Sequence, residues 1–207
     1  MELTVRPAQQ QRSREAWARV LDAGVAVLSE GGSEGFTIAA VCHRAGVTPP
    51  TIYRRAPNKD ALFLAVYQHG IEKIRSTEES LDSVQGSDAA SVDEVVCAAV
   101  DVVARIFIAH QGFLHAVIVI SATNATVREH GVEASNTLAD LFNRLTDSVT
   151  PESHTALRAA VFQMCFGALV LRTGFGADFA SPLPVDEEEF IEGLKAVALS
   201  AWTRASI

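Results

Sequence analysis

The chain has 207 residues and a mass of 22.1 kDa, enough to bury roughly 70% of the surface its unfolded form exposes, and its 48% hydrophobic and 20% charged residues exclude a wholly disordered polypeptide. A net charge of -8 excludes a protein that coats nucleic acid over its whole surface, but the charge is uneven: residues 1–60 hold eight Lys/Arg against six Asp/Glu, the remainder nine against nineteen. The excess of acid lies entirely in the C-terminal part.

Cys42, Cys97 and Cys165 are odd in number and far apart, with no CxxC spacing, so they read as small buried hydrophobes in a reducing compartment rather than zinc ligands or a redox pair. The N-terminus lacks an apolar signal-peptide core, and the densest apolar runs, 113–120 and 159–171, are shorter than the ~20 residues that span a bilayer. The expected compartment is the cytoplasm.

In chain order, residues 1–13 read as a flexible arm. Trp17, Val20, Leu21, Gly24, Val25 and Leu28 then recur at helical spacing, and Gly31–Gly32 halts that helix. A short helix follows behind Thr37, its predicted N-cap, with Ile38, Val41, Cys42 and Ala45 on its apolar face and Gly46 at its end. A third, from Thr48 to about Arg55, is barely two turns and must be held by its neighbours. Asn58 caps a fourth, whose first turn carries Asp60, and the polar stretch 76–91 reads as its frayed end and a loop. Further helical patterns occupy about 92–110, 112–121, 125–147, 152–174 and 186–204, with a Gly/Pro-punctuated loop over 174–185. The expectation is an all-α chain of about nine helices, divided into an arm (1–13) and two domains (14–57 and 58–207).

The two helices near the C-terminus are apolar nearly all round, so each must be covered on more than one face. Either both lie deep in a monomer's core or they form a homodimer seam.

The stretch 35–62 carries the chemistry. Two short helices joined through Ala45, Gly46 and Val47 have helix-turn-helix spacing, in which Gly46 permits a left-handed backbone and Val47 enters the core. The second of them would enter a DNA major groove with its N-terminal residues at the base edges. Thr48, Thr51, Tyr53, Arg54, Arg55 and Lys59 supply the hydroxyl and cationic groups such a surface needs. Pro49 and Pro50 occupy positions whose N–H groups have no intrahelical partner, so their imino nitrogens cost little. With those donors gone, the Thr48 hydroxyl can cap only at the Thr51 N–H, and backbone N–H anchoring of a phosphate must come from elsewhere, such as Thr37 at the start of the preceding helix. Taken alone, a short Thr/Pro/Arg segment is a solvated turn; it is the preceding helices and the local charge excess that favour the DNA reading.

This segment resembles the tetracycline-repressor (TetR) family of bacterial transcriptional regulators. The resemblance runs over about residues 14–66 through Gly35, Phe36, Thr37, Val41-Cys42, Ala45-Gly46-Val47-Thr48, Thr51-Ile52-Tyr53-Arg54-Arg55-Ala56 and Asn58-Lys59-Asp60-Ala61-Leu62. Cys42 stands where the pattern mostly has Ala, and Ala56 where it mostly has a bulky aromatic. The resemblance implies a homodimer through the last two helices, a near-palindromic double-stranded operator, and release by a small hydrophobic effector. It implies phosphate contacts from Thr37, Thr51, Tyr53 and Lys59, and base contacts from Pro49, Pro50, Thr51 and Arg54.

In the ligand-binding domain, Phe107, His110, Phe113, His115, Met164, Phe166 and Arg172 are candidates to line an effector cavity, because a His or Arg on an otherwise apolar helix needs a partner. No GxSxG, HExxH, GxGxxG or P-loop occurs, so no catalytic set, metal or cofactor is expected. The competing reading is an all-helical enzyme or small-molecule carrier in which the helix-turn-helix shape is incidental.

Overall fold

The computed structural model describes residues 7–82, 91–179, 183 and 185–204. Among them every regular element is helical: α1 (Pro7–Gly35), α2 (Ile38–Ala45), α3 (Pro49–Tyr53), α4 (Lys59–Asp82), α5 (Val92–Ala109), α6 (Gln111–Ser121), α7 (Ala125–Thr146), α8 (Thr155–Phe175) and α9 (Glu187–Arg204), with 3-10 turns at Asp147–Val149 and Glu152–His154. The chain forms two compact units, Met1–Lys73 and Ile74–Ile207, so the first takes in more than half of α4. Burial of Leu62, Val66 and Tyr67 on α4 accounts for that division, whereas the sequence reading starts the second domain at residue 58.

Residues 1–6 of the expected arm lie outside the described residues, and from Pro7 onward the chain is already helical. Gly32 (φ 57°, ψ -156°) breaks the regular backbone of α1 near its end, the disruption expected of the glycine pair. In the first unit α1 packs on α2 and α3. Val20, Leu28, Phe36, Val41, Ile52, Leu62 and Val66 form its core. The Phe36 and Phe63 rings meet edge to face at 5.8 Å, and Phe63 lies 6.4 Å from Tyr67. At Gly24, α1 comes close to α4, since a Cβ there would run into the Val66 side chain.

α4 continues to Asp82, so the first part of the expected frayed stretch is helical, while residues 83–90 lie outside the described residues. In the second unit α5 packs on α7, α8 and α9, and α6 crosses α7 and α8. A capping box starts α5, with Ser91 and Glu94 bonded reciprocally. The acidic run 186–189 opens α9: the Asp186 carboxylate accepts from the Glu189 N–H at 2.8 Å, and Lys195 on the same helix pairs with Asp101 of α5 at 3.1 Å. Part of the expected 174–185 loop, residues 180–182 and 184, lies outside the described residues.

The stretch Glu152–Phe175 is, among the described residues, long and apolar enough to cross a membrane by length and composition. The 159–171 run alone is too short to span a bilayer, but the helix adds flanking turns to it. Only 22% of its most apolar window is buried within the chain. The uncovered side carries Ala156, Ala160, Met164, Leu171 and Phe175, with Gly167 half-buried among them. On α9, Gly193, Ala196, Val197 and Ser200 form a similar exposed stripe of small residues.

Candidate nucleic-acid interface

The turn between α2 and α3 follows from three residues. Thr37 caps α2, its hydroxyl oxygen accepting from the Ala40 N–H at 3.1 Å. Gly46 adopts φ 63° and ψ 38°, the left-handed cap predicted for it, and its N–H and that of Val47 donate to the His43 and Cys42 carbonyls. Val47 is half-buried at the turn.

α3 begins directly at Pro49, with Pro50 next, so the crowding between consecutive prolines does not delay its first turn. Thr48 sits in the extended region, but its hydroxyl makes no capping bond, contrary to expectation. The Thr51 N–H donates instead to the Thr48 carbonyl at 2.9 Å, closing the first turn as a tight i to i+3 bond. The Thr48 side chain is thereby left exposed. The far end of α3 is closed by Arg54, Arg55 and Ala56, whose N–H groups donate to the Pro50 and Ile52 carbonyls at 2.9 to 3.3 Å.

Pro49, Pro50, Tyr53 (50% exposed), Arg54 and Arg55 are exposed, and Thr51 is half-buried. Thr37 is exposed too, and because its oxygen accepts from Ala40, its hydroxyl proton remains available to an outside acceptor. Lys59 reaches the Ser33 carbonyl at 3.4 Å, which steadies the ammonium while leaving two of its three donors. Arg44 pairs with Glu30 at 2.6 Å and ties α2 to α1. Arg55 is engaged differently from its neighbours: its guanidinium lies 5.5 Å over the Trp17 ring and donates to the Ser13 hydroxyl at 3.3 Å.

In the second unit the structure brings together Phe107, Phe166 and Arg172. Phe107 meets Phe166 edge to face at 5.6 Å, and Phe166 stacks on Phe162 at 5.6 Å. Phe107 and Arg172 line a cavity of about 30 Å³, the space of a single water, with Gln111, Leu169, Thr173, Phe190 and Ile191. The α9 members were missed in the sequence because an amphipathic stripe says nothing about which helix it will face. Arg172 stacks over the Phe190 ring at 4.6 Å and donates to the Val185 carbonyl at 3.0 Å. Phe113 is buried in the core. His110 bonds to the Thr77 hydroxyl and His115 to the Thr173 carbonyl, which are the partners their apolar surroundings demand. Met164 lies on the uncovered side of α8, 40% exposed. Burial pushes the Cys165 thiol up to about 11, so it is no nucleophile at neutral pH.

Residues 20–66 match the family model described as bacterial regulatory proteins, tetR family. No curated protein matches the chain's sequence. Solved structures share its fold. A TetR-family transcriptional regulator from Mesorhizobium loti MAFF303099 superposes with a TM-score of 0.72 at 14% identity, over 93% of this chain and 97% of that one. A TetR-like regulator from Rhodococcus sp. RHA1 gives 0.62 at 18% identity, over 89% and 93%. The regulator FadR from Bacillus subtilis, in complex with stearoyl-CoA, gives 0.59 at 15% identity, over 89% and 98%. Residues 20–66 thus match the tetR-family model over the segment that contains the helix-turn-helix, and the chain as a whole shares its all-helical fold with solved TetR-family regulators.

Proposed function

We propose that the protein is a dimeric transcriptional repressor that binds a near-palindromic DNA operator through α3 and leaves it when a small hydrophobic effector occupies the second unit. The observation that carries this reading is the exposed set on and around a helix-turn-helix with the expected left-handed Gly46 turn: Thr37, Thr48, Tyr53 and Lys59 offer hydroxyl and ammonium donors to phosphates, and Thr51 joins them from its half-buried position. Pro49, Pro50 and Arg54 face the bases, the prolines as apolar groups for thymine methyls and Arg54 as a donor to guanine. A DNA-binding role places the protein in the cytoplasm of a bacterium.

The dimer forms through the uncovered sides of α8 and α9. Small residues there, Gly167 and Gly193 among them, let helices from two copies approach closely, and an apolar helix left mostly uncovered within one chain calls for that cover. The effector site is built around Phe107, Phe166 and Arg172. In the present conformation the cavity beside Phe107 and Arg172 is only about 30 Å³, so a ligand must displace side chains to enter, and FadR's stearoyl-CoA complex is an instance of this fold holding an acyl ligand.

A duplex selected by the protein from a random pool tests the DNA reading. Its affinity should fall with salt at a log–log slope of about -0.9 per neutralised phosphate, and Tyr53→Ala with Lys59→Ala should flatten that slope. An unchanged affinity and slope in the double variant would refute the placement of the phosphate contacts.

A further inference from the structure

The shortness of α3 poses a mechanical question that its exposed residues do not answer. Five residues cannot hold a helix by propensity, and of these five only Ile52 is fully buried. A single fully buried side chain within α3 constrains its position more tightly than its roll. Ala56, buried just beyond it, contributes only a methyl group where the family pattern mostly carries a bulky aromatic.

The second fixed point is Arg55. Its N–H donates to the Ile52 carbonyl at 2.9 Å, which places its side chain about one turn beyond Ile52. Its guanidinium then lies over the Trp17 indole at 5.5 Å and donates through Nη2 to the Ser13 hydroxyl at 3.3 Å. Ser13 and Trp17 are four residues apart on α1 and so share one face. A guanidinium placed over a ring and hydrogen-bonded at its rim is held at two points, which an ammonium with no planar fork cannot reproduce. Thr51 and Arg54 line the same cleft, of about 150 Å³, so the clasp sits directly behind the residues assigned to DNA.

We propose that Arg55 is a positioning residue of the recognition helix: clasped by Trp17 and Ser13, it sets the roll of α3 and thereby the aim of Pro49, Pro50 and Arg54, rather than neutralising a phosphate itself. The inference rests on the DNA-binding reading above. It departs from the sequence expectation, which grouped Arg55 with the groups contacting DNA.

The two roles differ in measurable ways. A phosphate contact contributes to the salt slope and little to selectivity; a positioning residue does the reverse. The full-length protein, its Arg55→Lys, Arg55→Ala and Trp17→Leu variants, and the Arg55→Lys/Trp17→Leu double variant are titrated with the duplex selected by the wild type and with its single-base variants, over a range of salt. Expected are a loss of discrimination of about tenfold in each single variant, a salt slope equal to that of the wild type, and a double variant no worse than either single one. Trp17→Phe keeps an aromatic face and should keep selectivity, which separates loss of the clasp from loss of folding. Wild-type selectivity in Arg55→Lys, or a slope flattened by about 0.9 per protomer in Arg55→Ala, would overturn the assignment while leaving DNA binding intact. A wild type that selects no duplex at low salt would instead overturn the DNA-binding reading, and this assignment with it.

Discussion

His110 holds its Nε2 2.8 Å from the Thr77 hydroxyl, tying the C-terminal part of α4 to the residue at which α5 turns into α6. The bond is partly shielded from solvent, and α4 is one continuous helix that begins in the first unit and ends in the second. A part-buried hydrogen bond between side chains contributes about 1 kcal/mol net. Thr77→Val should therefore lower stability to urea by about 1 kcal/mol with an unchanged slope. Thr123→Val, which removes a long exposed bond to a carbonyl three residues back, should change it by less than about 0.5 kcal/mol.

The close approach at Gly24 gives a prediction of opposite character. Alanine is the better helix former by about 1 kcal/mol, but its Cβ would collide with Val66 on α4. Overpacking of a buried contact costs about 1 to 3 kcal/mol, so Gly24→Ala should be net destabilising by about 1 kcal/mol. Adding Val66→Ala should recover part of the loss, and a thermal-melt double-mutant cycle reads the coupling directly.

Glu78 is buried on α4, and desolvation raises its carboxyl above the usual 4.5; Arg75 and Arg144 offset the shift in part and Glu79 adds to it. A carboxyl raised in the folded state favours folding below the unfolded value and withdraws that support as the pH rises through the folded one. Glu78→Gln should therefore be more stable than the wild type at pH 7, with the difference closing as the pH falls to about 4.5. Paired denaturant titrations at the two pH values check the sign.

A substituted side chain at Gly167 on α8 meets nothing within 4 Å in its own chain. Gly167→Arg should therefore leave the far-ultraviolet spectrum and melting of the subunit fold intact but place a charge on the proposed dimer seam. Light scattering should then report the mass of one chain, about 22 kDa, and affinity for the selected duplex should fall by more than about tenfold as the two half-sites are engaged separately. A variant that remained dimeric would move the seam elsewhere.

The helices and their caps were legible because their signals are local. Thr37, Gly46, Asn58 and the Asp186–Glu189 run act within a few residues of themselves, and each does in the structure what its residue type demands. Thr48 shows the limit: the sequence names it as the cap, but the backbone dihedrals of the first turn decided that its carbonyl, not its hydroxyl, receives the Thr51 N–H.

The sequence by itself determined the all-helical class, the helix-turn-helix and the residues exposed around it, since periodicity, capping and turn chemistry depend on neighbours along the chain. Only the tertiary structure decided which aromatic rings enclose the small cavity, which side of α8 stays uncovered, and that Arg55 is spent on Trp17 and Ser13. Those outcomes depend on how helices far apart in the chain come to face one another. A hydrophobic stripe specifies that a face must be buried but not against what.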